Sequence, residues 1–64
     1  MKQIYYITFI GRYENDEGKV SRKRVSFSQK DTCTDFKAGN LLIHKGRWFR
    51  IEEVIYEPIE GAYR

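Results

Sequence analysis

Two apolar runs rich in β-branched and aromatic residues, one towards each end of a 64-residue chain, confine this sequence to a small, mainly β fold. The first run is Ile4, Tyr5, Tyr6, Ile7, Thr8, Phe9 and Ile10. Its odd and even positions are both apolar, which predicts a strand that is central or covered on both faces. Gly11 follows as a bend or bulge. Glu14, Asn15, Asp16, Glu17 and Gly18 then form a turn signal, with Gly18 free to take positive φ. Residues 19–28 read as the return strand, placing Val25 and Phe27 on one face and Arg22, Arg24 and Ser26 on the other.

The second run is a hairpin. Leu41, Leu42, Ile43 and His44 lead into a two-residue turn, Lys45 and Gly46, and residues 47–51 return. Strand alternation puts Phe49 and Ile51 on the inner face and Trp48 and Arg50 on the outer one. Val54 and Tyr56 rejoin the inner face only if one residue is inserted at Glu52 and Glu53, which predicts a β-bulge; Pro58 is expected to end the strand. Between the hairpins, Asp31 or Thr32 fits the cap of a short helical turn, with Asp35 after it, Gly39 closing it and Phe36 anchoring it to the sheet. The expected architecture is a single domain over residues 1–64: a strongly curved five-stranded barrel of SH3-like or OB-like type, built on two hairpins with one short helical turn.

So short a chain buries only about 60% of the surface its unfolded form exposes, so its core is marginal. Cys33 is the sole cysteine and His44 the sole histidine, which excludes an intramolecular disulfide and a zinc-type ligand cluster. Regular packing or self-association must supply the difference, and a homo-oligomer is among the expected states. No cofactor or metal is expected. A lone thiol, no apolar stretch near 18 residues and no small-residue cleavage site after residues 4–10 point to the cytoplasm and away from a membrane.

Catalytic chemistry finds little to work with. A nucleophile needs a base and an orienting group, and nothing in the sequence brings Cys33 to His44. The paired acids Asp16–Glu17 and Glu52–Glu53 are sequence neighbours, so on strands they point to opposite faces and cannot share a proton unless a bulge realigns them. Glu14, Asp16 and Glu17 lack the ligand spacing of a calcium loop and read as a solvated turn. Glycine-rich phosphate loops are absent.

The net charge of +3 is unevenly spread: residues 1–30 carry +4 and residues 31–64 carry −1. Lys19, Arg22, Lys23 and Arg24 crowd into six residues. On a strand, together with Arg47, Trp48 and Arg50, they would form a nucleic-acid surface in which cations meet phosphates and the indole stacks on a base. The competing reading is a solvated sheet face whose arginines pair with Glu52, Glu53 or Glu57 across strands. Ten aromatic residues exceed what so small a core encloses, so some are left for the surface. The sequence therefore reads as a non-catalytic binding module, with nucleic acid ahead of protein as its partner. A protein-interaction module, such as a small inhibitor or assembly component encoded by a virus or mobile element, is the alternative.

Overall fold

The computed structural model describes residues 2–63, of which 62 and 63 by backbone alone; Met1, the Tyr63 side chain and Arg64 lie outside the described residues. Four strands, β1 (Gln3–Glu14), β2 (Val25–Asp31), β3 (Leu41–His44) and β4 (Arg47–Tyr63), form one antiparallel sheet in the order β2-β1-β4-β3. The sheet is curled into a half-barrel. β1 is central, as its composition requires, and pairs with β4 along nearly its whole length.

Curvature comes from a bulge. Ile10 pairs with Glu53 but Gly11 pairs with Ile51, so Glu52 is the inserted residue. The insertion carries Phe49, Ile51, Val54 and Tyr56 all to the concave side, as the sequence pattern demands. Gly11 permits the kink: a Cβ there would overlap the carbonyl oxygen of Arg50 and lie 3.1 Å from the Glu52 amide nitrogen. Ile7, Phe9, Phe49 and Ile51 are fully buried on the concave face, flanked by Tyr5, Tyr13, Val25, Phe27, Phe36, Leu42, Val54 and Tyr56. Each such burial contributes roughly 1.5–3 kcal/mol.

Side chains close the seam that backbone pairing leaves open. β2 and β3 are the two edges of the sheet, yet Phe27 of β2 stacks on His44 of β3 with ring centroids 3.6 Å apart and 4° between planes. The Tyr13 hydroxyl meets His44 Nδ1 at 2.8 Å and fixes the imidazole in that position.

Four of the expected features differ. Four strands replace the expected five-stranded barrel, and residues 32–40 form no helix. Asp31 ends β2 and its carboxylate accepts the amides of Thr32 and Cys33 (2.7 and 3.1 Å), an Asx turn in place of a helix cap. Phe36 does anchor the segment, edge-on to Phe9 at 4.9 Å, but the Tyr56 hydroxyl accepts its N–H and donates to its C=O (3.0 and 2.9 Å). A single phenol thus holds the two backbone groups a helix would have used internally.

The return strand begins at Val25, not Lys19. Val20 bridges back to Glu14 and the Ser21 amide reaches the Tyr13 carbonyl at 2.8 Å, but Ser21 Oγ then accepts the Lys23 amide at 3.2 Å and the ladder breaks. The outer face of β1 is uncovered, with Tyr6 exposed and Thr8 bonded to Ser28 across strands at 3.1 Å. Pro58 does not end β4. It pairs with Tyr5, and the chain continues through a register break, with Gly61 at φ 76°, to pair Tyr63 with Gln3.

Gly11→Ala is expected to cost about 3 kcal/mol or more of unfolding free energy, seen as a lower urea midpoint; an unchanged midpoint would contradict the close approach. Burial raises the Tyr56 phenol above its ordinary pKa of 10.0, the Phe36 amide opposing this and the charges of Cys33 and Asp35 adding to it. The Tyr56 contribution is thus complete below about pH 10 and declines above it, because the unfolded chain loses the phenolic proton first. Tyr56→Phe should cost about 1–3 kcal/mol at neutral pH and flatten that alkaline decline in chemical denaturation.

Candidate interaction surface

A two-residue turn with both φ values positive, 54° at Lys45 and 75° at Gly46, sets the register of the β3–β4 hairpin. That register places Ile43 opposite Trp48 and Leu41 opposite Arg50. Opposed residues share a face, so Leu41, Ile43, Trp48 and Arg50 all lie on the convex side. Three of them form an apolar patch: Ile43 is 65% exposed, Leu41 47% and Trp48 45%. Exposed Val20 is bridged to Glu14, which stands between it and Trp48.

Glu14 stands beside this patch on the same face. It pairs with Trp48 across β1 and β4, is buried, and accepts a short hydrogen bond from Arg50 Nε. A buried carboxylate needs such a partner, and the pair fixes the Arg50 side chain beside the indole. Two shallow clefts share the Trp48 ring and the loop residues Glu14, Asn15 and Asp16; one adds Ile43, Gly46 and Arg47, the other Gly18 and Leu41. Asn15 shapes that loop by accepting the amides of Glu17 and Lys19 on its side-chain oxygen (3.0 and 2.9 Å).

The seven residues expected to form one site are dispersed. Lys19, Arg22, Lys23 and Arg24 lie on a loop along the β2 edge, which replaces the basic strand with a bent, exposed segment. Arg24 is held by Glu52 at 3.2 Å and Glu53 at 3.7 Å, the cross-strand pairing that the solvated-face reading anticipates. Lys19 lies 3.9 Å from Glu17. Arg22 and Lys23 carry no ion pair among the described residues. Arg47 lies over the Tyr13 ring at 4.3 Å, on the face opposite Trp48 and Arg50. Of the seven, Trp48 and Arg50 come together on one face, where Arg50 is engaged by Glu14; Arg47 lines a cleft with Trp48, but its guanidinium lies over Tyr13.

Leu41, Ile43 and Glu14 were legible only as a strand and a turn. The signal that locates them is the Lys45–Gly46 turn, which fixes what stands opposite Trp48. His44 and Cys33 engage different neighbours: His44 packs with Tyr13 and Phe27, whereas Cys33 Sγ lies 3.8 Å from Asp35. No group of three or more His, Cys, Asp or Glu side chains suited to a metal ion occurs among the described residues, and none of their helices is long and apolar enough to cross a membrane. No protein family, curated protein or solved structure matches the chain.

Arg50→Met should destabilise the fold by about 1–3 kcal/mol by leaving Glu14 buried without its donor. Adding Glu14→Gln should recover part of that loss, and a double-mutant cycle by denaturant melting measures the coupling.

Proposed function

We propose that this chain is a binding module working without catalysis, and that it contacts a protein through the convex face of the β3–β4 hairpin. The observation that carries this reading is the exposed cluster of Leu41, Ile43 and Trp48. Contiguous exposed apolar surface of this kind marks interaction sites, and a tryptophan beside an arginine is the composition of interface hot spots. Glu14 and Asp16 rim the patch, and Arg50, held by Glu14, adds the opposite sign of charge. Such a rim orients a protein partner but does not attract a polyanion. The role fits a small inhibitor or assembly component, of the sort viruses and mobile elements encode, acting in a reducing compartment where Cys33 stays a free thiol.

Nucleic-acid binding is the second reading, favoured by the unpaired charges of Arg22 and Lys23. It is the weaker one because Arg24, Arg47 and Arg50 are engaged within the fold and Trp48 sits among apolar side chains and carboxylates.

Quantitative pull-downs with the wild type, Trp48→Ala and the double variant Arg22→Glu/Lys23→Glu separate the two, run beside oligonucleotide titrations at two salt concentrations. Partner capture should fall at least tenfold with Trp48→Ala and be unchanged in the charge-reversed chain. Saturable oligonucleotide binding that falls steeply with salt and disappears on charge reversal would move the site to the loop and overturn the protein reading.

A further inference from the structure

The β3–β4 hairpin leaves one row of backbone groups without a strand. In a two-residue hairpin the residues flanking the turn exchange hydrogen bonds, and the pattern alternates from there. His44 and Leu42 therefore bond to β4, and the Ile51 amide donating to the Asn40 carbonyl at 2.9 Å continues the alternation. Leu41 and Ile43 consequently turn their N–H and C=O groups to the open edge. Their side chains are the same two that stand exposed beside Trp48.

We infer that this edge pairs with a second copy of the chain, β3 against β3 in antiparallel register about a two-fold axis through Leu42. This inference goes beyond the reading of the convex face as a protein contact: it adds a second copy along the edge of that face. In that register each Leu41 stands opposite Ile43 of the second copy. Both are the outward-facing residues of their strands, so the pair exchanges hydrogen bonds in both directions and both side chains stay on the convex face. A one-residue slip would oppose outward-facing groups to inward-facing ones and put apolar side chains on the wrong side.

Charge agrees with this occupant. β3 contains no Asp, Glu, Lys or Arg, so two copies meet there without like charges face to face, whereas the other edge, β2, carries Lys30 and Asp31. Charged residues are the usual protection of an edge against pairing, and β3 lacks them. Paired edges would bring both copies of Leu41, Ile43 and Trp48 into one continuous convex patch, an isologous contact of the commonest symmetry.

Sedimentation across micromolar to millimolar concentration, with amide exchange followed by NMR, tests the inference. A concentration-dependent dimer is expected, with the Leu41 and Ile43 amides protected as it forms. Ile43→Lys should weaken dimerisation at least tenfold while circular dichroism shows the fold retained, and Leu41→Lys provides a second edge variant. The charge-reversed Arg22→Glu/Lys23→Glu chain should dimerise like the wild type. A chain monomeric at every concentration, or a dimer that leaves those amides unprotected and ignores both edge variants, would overturn the pairing. A monomer whose partner capture still depends on Trp48 would overturn the second copy alone; a chain that dimerises as expected but whose partner capture ignores Trp48→Ala would overturn the convex-face reading alone.

Discussion

The close approach of Gly11 to the Arg50 carbonyl is the constraint on which the rest of this molecule depends. Without room for a Cβ, the β1 backbone lies against the bulge at Glu52, and β4 changes direction there. One inserted residue resets the alternation, so that Phe49 and Ile51 before it and Val54 and Tyr56 after it share the concave side. It also curls the sheet until the two edges approach. The Phe27–His44 stack, the Tyr56 clamp on Phe36 and the convex exposure of Trp48 all follow from that curl.

Formal charge and available charge are different quantities in this fold. The sequence has twelve lysines and arginines, and its most basic segment is conspicuous. Folding brings Glu52 between Arg12 and Arg24, buries Glu14 against Arg50 and sets Arg47 over an aromatic ring. The carboxylates responsible come from distant parts of the chain. What remains unpaired on the convex face of the hairpin is apolar, which is why the partner we propose is a protein.

The mainly β composition, the central strand, the bulge at Glu52, the tight turn at Lys45 and Gly46 and the outward direction of Trp48 were legible because each rests on local periodicity or turn chemistry. The failures share a cause. The helical turn in residues 29–40 was displaced by a hydroxyl twenty residues away, and the basic strand was broken where Ser21 captured a backbone amide and Arg24 reached carboxylates on β4. Pro58 sits within a strand because its Tyr5 pairing is followed by a register break that local propensity does not reveal. The candidate site was half legible: Trp48 was readable, but Leu41 and Ile43 become its neighbours only through pairing across the turn.

The pairing of β1 with β4 has a consequence for how the molecule comes into being. Gln3 meets Tyr63 and Glu14 meets Trp48, so the longest ladder in the sheet joins residues about 34 to 60 positions apart. Contacts of that separation are slow to form, because the entropy of closing a long loop is lost before any bond repays it. During synthesis β1 has only β2 to pair with until β4 has been made, so Ile7 and Phe9 stay uncovered until Phe49 and Ile51 follow about forty residues later.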